Sequence, residues 1–223
     1  MNSSPSSLDL QALYHQLHAH YGNLNWWPAQ SPYEMMVGAI LTQNTNWRNV
    51  EKALANLPQP ITPIFIEQAD TEALKERIRP AGFFNQKAVY LKTLTAWYKN
   101  YDYSVATVRK QPLGSLRKEL LSLKGIGPET ADAILLYAFK FPTFVIDAYT
   151  RRLLSRVSNA DLPSGYEGLK ALFEAQLPPD ADLFNNYHAC IVMFAKDYCQ
   201  VKPLCQSCPL SRKCATFDFP LEI

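Results

Sequence analysis

The stretch KGIGPETADAILLYAFKFPTFVIDAYTRR, residues 124–152, combines a turn bracketed by glycines with a single acid further along. Gly125 and Gly127 enclose one apolar residue, Ile126, and a helical pattern begins at Pro128. Glycine reaches backbone angles closed to other residues, so this turn is expected to point three successive amides outward at a helix start, where phosphate binds. The pattern predicts a helix-hairpin-helix that holds DNA by its backbone without reading its sequence. An ordinary αα-turn remains the alternative.

Asp147 follows the apolar run PTFVI and precedes AYTRRLLSRV, whose spacing indicates a helix. The position predicts an N-cap, which would keep the carboxylate ionised and fixed. Such a carboxylate can stabilise a cationic sugar or orient an attacking water. A purely structural cap is the competing interpretation.

The composition indicates a globular protein. The 223 residues are long enough for one large domain or two small ones, 48% of them are apolar, and the net charge is only +2. No apolar run approaches the ~18 residues of a membrane span, and the opening MNSSPSSLDLQ lacks the features of a secretion signal. We therefore expect a cytoplasmic protein with no membrane association.

Four of the five cysteines, Cys199, Cys205, Cys208 and Cys214, fall within sixteen residues with the spacing C-x5-C-x2-C-x5-C. So short a loop cannot bury much apolar surface, but four thiolates around a metal can hold it together. The compact spacing favours a [4Fe-4S] cluster over zinc, which usually takes two separated C-x2-C pairs; zinc and unligated thiols remain alternatives. Cys190 lies in an apolar helical pattern and is expected in the core.

Three cations, Lys202, Arg212 and Lys213, alternate with these cysteines. They predict a positively charged loop that can contact DNA phosphates. Alternatively, they only balance the negative charge of a cluster.

Helix signals dominate the chain and strand signals are scarce, so we predict an all-α fold. Capping residues indicate the starts of five helices, at Ser31, Asn46, Asp70, Asn85 and Ser115. Proline and glycine recur at the joints between the helices.

The hairpin LKGIGPETADAIL, Asp147 eighteen residues after Glu129, and the four-cysteine loop together resemble the endonuclease III branch of the helix-hairpin-helix DNA glycosylases. GAILTQNT at 38–45 and GFFNQKA at 82–88 are also similar to segments of that family. One departure is the first cysteine gap of five residues, where the family usually has six.

The resemblance implies two all-α domains with a groove between them. Residues 29–141 would form a six-helix barrel that contains the hairpin, and residues 1–28 with 142–223 would form the iron-sulfur cluster domain. It also implies a monomer, associated with the nucleoid, that acts on double-stranded DNA containing a damaged base. The base would be extruded into a pocket while Gln43 fills the vacated stack.

Glu129 departs from the bifunctional members of the family, which carry at this position a lysine that attacks the sugar. A glutamate cannot form a Schiff base. The resemblance therefore implies a monofunctional enzyme in which water removes the base with the assistance of Asp147. The adenine-mismatch branch fits poorly, because 223 residues leave no room for its additional recognition domain.

NWWPAQSPYE, LTQNTNW and RPAGFFNQKA resemble most closely the 3-methyladenine DNA glycosylases of the superfamily. By this resemblance Trp26 and Trp47 would stack an N-alkylated, cationic purine, and Glu129 would add a favourable charge. Lys196 could reach the same pocket. The alternatives are tryptophans that only pack in the protein and a solvated lysine.

Three other functions compete with this one. An oxidised-pyrimidine glycosylase/lyase would share the fold but should have lysine at 129. A non-catalytic DNA-binding module would not need Asp147. An electron carrier would need only the cluster, leaving the hairpin unexplained.

Overall fold

The computed structural model describes residues 8–24 and 27–217, and the regular structure in these ranges is helical, with no strand. The all-α prediction is confirmed. The α-helices of the described ranges are α1 (Leu10–Tyr21), α2 (Pro32–Leu41), α3 (Trp47–Ala55), α4 (Pro63–Gln68), α5 (Thr71–Ile78), α6 (Phe84–Lys99), α7 (Val105–Val108), α8 (Leu113–Ser122), α9 (Pro128–Ala133), α10 (Ala148–Val157), α11 (Gly165–Gln176) and α12 (Ala181–Asp197).

Shorter helical segments complete this part of the chain. α9 continues directly into a π-helix, Ile134–Ala138, and 3-10 helices cover Arg79–Ala81, Cys205–Ser207 and Ser211–Lys213. Within the described ranges no helix combines the length and the apolar character needed to cross a membrane.

The chain divides into two compact units, one of residues Trp27–Phe141 and one of Met1–Trp26 with Pro142–Ile223. The division expected from the resemblance differs from this one at residues 27 and 28, which it places with residues 1–26. Trp27 belongs with the first unit because its ring packs against Trp47 and Tyr137 and lies within 3.4 Å of the position a Cβ on Gly38 would take.

The core of the Trp27–Phe141 unit is built around two buried segments. α2 is buried from Tyr33 to Leu41, and the π-helix is buried along its whole length. α2 packs against α3, α6, α9 and the π-helix. The loops that follow α2 and precede α9 are therefore carried on a well-packed base.

Three predicted helix starts in this unit are confirmed by their capping hydrogen bonds. The side chains of Ser31, Asn46 and Asp70 accept from backbone amides three residues further on, at 3.1, 3.1 and 3.0 Å. These caps depend on local chemistry alone.

Two other predicted starts are wrong. α6 begins at Phe84, after Phe83 in a left-handed conformation with φ 46°, so Asn85 lies inside the helix. α8 begins at Leu113 after Pro112, two residues before the predicted cap at Ser115. In both cases the backbone turns into the helix without a side-chain cap, which leaves no capping residue for the sequence to show.

In the second unit, α12 forms the buried centre and packs against α1 and α10. Phe144 stacks on Phe173 with ring centroids 3.9 Å apart, next to Tyr187 of α12. This packing holds the chain immediately before Asp147.

Candidate functional site

The hairpin turn joins α8 to α9 through residues 123–127. Gly125 adopts φ 85°, in the left-handed region that favours glycine, and the Ile126 side chain is buried beneath the turn. The amide of Ile126 donates to the carbonyl of Leu123 at 3.2 Å. The expectation that all three amides face outward is therefore wrong for Ile126, since this hydrogen bond closes the turn.

The two glycines of the hairpin serve different purposes. A Cβ on Gly125 would overlap the ring of Tyr90, which lies directly against the turn, so only glycine fits there. At Gly127 the backbone is extended, and a Cβ would meet nothing within 4 Å in the part of the chain that the structure describes. Gly127 thus leaves open the approach to the start of α9.

Gln43 lies beside the same turn. Its Nε2 donates to the carbonyl of Gly125 at 2.9 Å and to the hydroxyl of Thr130 at 3.0 Å. The structure therefore brings Gln43 together with the hairpin, as two predicted DNA-binding elements of one surface.

Lys87 supports the loops on either side of this surface, a role that its sequence context does not indicate. Its side chain is buried and donates to the carbonyls of Leu41 and Ala81, each at 2.8 Å. Burial lowers the pKa of Lys87 to about 8. Lys87 therefore fastens the end of α2, just before Gln43, to the turn that precedes α6. A lysine in the segment GFFNQKA gave no signal that distinguished it from a solvated one.

Glu129 and Trp47 belong to the same unit. Glu129 is exposed in the first turn of α9. Trp47 is half-buried at the start of α3, and its ring makes a T-shaped contact with Trp27, with centroids 5.5 Å apart. Tyr137 lies on Trp27, with centroids 5.2 Å apart. Trp26 lies outside the described residues, so the observed aromatic neighbour of Trp47 is the adjacent tryptophan, and NWW was the signal that could have indicated it.

Asp147 caps α10 in the second unit, which confirms the predicted N-cap. Its Oδ1 accepts from the amide of Thr150 at 2.7 Å, and its Oδ2 lies 3.4 Å from Nε2 of His188. Burial alone would raise the pKa of Asp147, but attraction to His188 and hydrogen bonds from His188 and Thr150 lower it below its ordinary value. The result is an ionised, oriented carboxylate at neutral pH.

His188 was not identified from the sequence, where it lies in the apolar pattern HACIVMFAK. In the same unit Lys196 is exposed on α12, with its Nζ 6.0 Å from the centroid of the Tyr149 ring. Tyr149 lies in the first turn of α10, two residues after Asp147.

The four cysteines of the loop line one cavity. Apolar side chains of Leu153, Phe194 and Leu210 also line this cavity. The cysteines are Cys199, Cys205, Cys208 and Cys214. Burial raises the pKa of Cys208, and the other three sulfurs raise it further. Ionisation of any of the other three thiols therefore disfavours ionisation of Cys208.

The loop is held from α10 by two guanidinium groups. Arg152 Nε donates to the carbonyl of Cys199 at 2.7 Å, and Arg156 donates to the carbonyls of Gln200 and Val201 at 2.5 and 3.1 Å. Nη1 of Arg156 is also 3.4 Å from Sγ of Cys199. The same helix that Asp147 caps thus carries the cysteine loop.

The cavity suits a metal group that binds thiolates, because all four cysteines line it together with apolar side chains. Within residues 8–24 and 27–217, no three His, Cys, Asp or Glu side chains stand ready to share one metal ion. The loop cations Lys202 and Arg212 are exposed; Lys213 ends a 3-10 helix, and its side chain is outside what the structure describes.

Comparison with known proteins identifies the family. Residues 37–179 match the HhH-GPD superfamily base excision DNA repair protein family. A protein of Methanocaldococcus jannaschii, MJ1434, named as a candidate DNA repair glycosylase, is 46% identical over 91% of this chain and 94% of its own. Endonuclease III of Sulfolobus acidocaldarius is 29% identical over 82% of this chain and 81% of its own.

Solved structures share the fold. The crystal structure of H. pylori 3-methyladenine DNA glycosylase (MagIII) bound to 1,N6-ethenoadenine is 30% identical, covers 85% of this chain and 98% of its own, and has a TM-score of 0.71. A non-covalent endonuclease III–DNA complex is 20% identical, covers 94% of this chain and 95% of its own, and has a TM-score of 0.78. The chain therefore belongs to the HhH-GPD superfamily of base excision DNA repair proteins, and it is a DNA N-glycosylase.

Proposed function

We propose that this glycosylase is monofunctional and that it removes an N-alkylated purine such as 3-methyladenine from double-stranded DNA, acting as a monomer. Glu129 in the first turn of the hairpin helix carries the proposal, because a carboxylate at this position cannot attack the sugar as an amine would. Base release would then proceed by water and stop at the abasic site.

Asp147 supplies the charge that this reaction needs. Its carboxylate is held by the amide of Thr150 and by His188, and it stays ionised at neutral pH. As the glycosidic bond breaks, the sugar becomes cationic, and a fixed anion stabilises that charge or orients the water that attacks it. His188 positions the carboxylate rather than reacting itself.

The aromatic pair Trp27 and Trp47 supports the choice of an alkylated purine. An N-alkylated purine is cationic and its glycosidic bond is already weak, so binding by aromatic faces matters more than acid catalysis. The half-buried indoles with Tyr137 supply such faces, and the exposed carboxylate of Glu129 adds negative charge in the same unit. Trp26 and Lys196 remain proposed members of the pocket.

The grip on DNA would be local, because a net charge of +2 is too small for a uniformly basic surface. Gly125 and Gly127 would offer amides to phosphate, and Lys202, Arg212 and Lys213 would add a second contact from the cysteine loop. Gln43 would fill the position left by the extruded base.

We further propose that Cys199, Cys205, Cys208 and Cys214 hold a [4Fe-4S] cluster. Four sulfurs around one apolar cavity support this assignment. When bound, the cluster would fix the loop in the shape that presents its cations. The purified protein should be brown, absorb near ~400 nm and contain about four irons; a colourless protein with one zinc would exclude the cluster.

The main experiment incubates the protein with duplexes that each carry one defined lesion. Products are resolved with and without alkali, and parallel samples receive borohydride. We expect release of 3-methyladenine or a related alkylpurine, strand breaks only after alkali, and no covalent complex. Efficient trapping by borohydride would refute the monofunctional mechanism. Faster release of thymine glycol without trapping would refute only the alkylpurine assignment.

The second candidate function is an oxidised-pyrimidine glycosylase/lyase of the endonuclease III type. The four-cysteine cavity favours it, because the 3-methyladenine branch often lacks the cluster loop. The same lesion panel decides between the two, since this candidate requires borohydride trapping with thymine glycol duplexes.

A further inference from the structure

The side chain of Gln43 is engaged by the hairpin rather than directed away from it. Its amide nitrogen lies 2.9 Å from the carbonyl of Gly125 and 3.0 Å from Oγ1 of Thr130. A carbonyl can only accept, so the nitrogen and not the oxygen of the Gln43 amide must face Gly125. Both N–H groups of Gln43 are therefore donated to the hairpin.

Thr130 contacts Gln43 from a buried position. Its side chain is buried, with a relative exposure of 9%, in the first turn of α9. Gly125, the other acceptor, is fixed in turn by the ring of Tyr90, against which it lies too closely for any side chain. Gln43 is thus bonded to two groups that cannot move freely.

We infer that Thr130 is a positioning residue that stores the Gln43 side chain against the hairpin, and that Gln43 enters a vacated base position only by giving up both hydrogen bonds. This inference rests on the proposed function, in which Gln43 fills the position in the duplex that the extruded base has left. Storage opposes insertion in the free protein, so it lowers affinity for a duplex with a vacated position and leaves affinity for intact duplex unaffected.

The test compares binding to two duplexes that differ at one position. One carries a stable abasic-site analogue and the other is undamaged, and both are measured at the same salt concentration. The affinity ratio of the two duplexes reports Gln43 insertion. Loss of one neutral hydrogen bond changes such a ratio by about two- to tenfold.

Thr130→Val removes the hydroxyl and keeps the shape of the side chain. We expect it to raise the preference for the abasic duplex by about two- to tenfold. The gain should vanish when Gln43→Ala is also present, because nothing is then stored. An unchanged ratio, an equal loss on both duplexes, or a gain that persists without Gln43 would each overturn the inference.

Two control variants make the result specific. Thr130→Ser keeps the hydroxyl and should restore the wild-type ratio. Thr95→Val removes another buried threonine hydroxyl of the same unit, one that contacts Tyr33 and not the hairpin, and should leave the ratio unchanged. A shift with Thr95→Val would mean that the ratio reports general destabilisation, which would overturn the inference.

Side-chain NMR gives a second test that does not need a stable Thr130 variant. In the DNA-free wild type the Gln43 amide protons should exchange slowly with solvent, and adding abasic duplex should speed their exchange. Fast exchange in the free protein would overturn the storage of Gln43, whatever the protein does to DNA. Slow exchange in a protein with no preference for abasic duplex would leave storage intact and overturn its role in insertion.

Discussion

The hairpin turn and the cysteine loop are both short segments, but different kinds of contact hold them in place. The hairpin is closed by the Ile126 amide on Leu123, by Gln43 on Gly125 and by the ring of Tyr90. The cysteine loop is held through its carbonyls by Arg152 and Arg156, and its four thiols face a cavity.

Protein contacts alone define the conformation of only one of these two regions, the hairpin. Neutral hydrogen bonds and buried apolar contact are enough to define the hairpin, whereas the thiols of the cysteine loop would repel one another as thiolates unless a metal group accepts them. The two regions should therefore respond differently to mutation and to metal removal.

The largest effect on the rate of base release is expected from a substitution at the start of α10, the helix that holds the cysteine loop, and not from one in the hairpin. Asp147→Asn keeps the shape of the cap but removes the anion, so base release should fall by about 10² or more while folding and DNA binding persist. Single-turnover kinetics on an alkylpurine duplex measure this. Glu129→Gln is the matched variant on the hairpin helix and should cost less than about tenfold. A wild-type rate for Asp147→Asn would show the proposed mechanism to be wrong.

The pH dependence follows from the lowered pKa of Asp147. The carboxylate should remain ionised at neutral pH, so the single-turnover rate should decline only below about pH 4. Because the folded pKa lies below the unfolded one, Asp147 stabilises the fold above the unfolded pKa of ~3.9, and this contribution is lost as the pH falls through the folded pKa. His188→Gln should raise the folded-state pKa of Asp147. The decline of the rate and the loss of stability should then both occur at higher pH.

The next largest effect is expected from metal removal, which should change amide hydrogen exchange in the cysteine loop but not in the hairpin. After chelation, we expect amide hydrogen exchange in residues 199–214 to accelerate by roughly 10²-fold, because the proposed cluster would no longer join the thiols of the loop. The Ile126 amide, which is bonded within the hairpin, serves as the internal control and should keep its protection. Equal acceleration at both places would erase the difference between the regions.

A smaller effect is expected at the aromatic pair. Trp47→Ala should cost ~1–3 kcal/mol in binding and release of an alkylated base, since one stacking face is lost. Trp47→Phe keeps a ring and should lose less. Comparing a cationic alkylpurine with a neutral oxidised pyrimidine tests the charge of the base; an equal loss on both would argue against a pocket selective for cations.

The smallest effects should distinguish the two proposed phosphate contacts. Arg212→Ala removes a charge, so the slope of log affinity against log salt should decrease by ~0.9. Gly127→Ala adds a methyl group to an open backbone position without straining it, so affinity should fall with little change in that slope. Binding isotherms at several salt concentrations measure the affinity and the slope of each protein. Identical slopes for the wild type, Arg212→Ala and Gly127→Ala would contradict a phosphate contact at Arg212.

Several local features of this protein could be predicted from its sequence because they depend on short-range chemistry. The caps at Ser31, Asn46 and Asp70, the N-cap at Asp147 and the turn at Gly125 each depend on residues within a few positions of one another. The same reasoning failed at the starts of α6 and α8, where the backbone enters the helix without a capping side chain.

The residues that support these local features could be identified only from the packed helices. Lys87 reaches the carbonyl of Leu41 across 46 positions, Gln43 reaches Gly125 across 82, and His188 approaches Asp147 from another helix. Each of these contacts joins a common polar side chain to a group far along the chain, and such a side chain looks the same in sequence whether it faces solvent or a buried partner. Sequence periodicity records which side of a helix is buried, but the partner on that side exists only once the helices have packed.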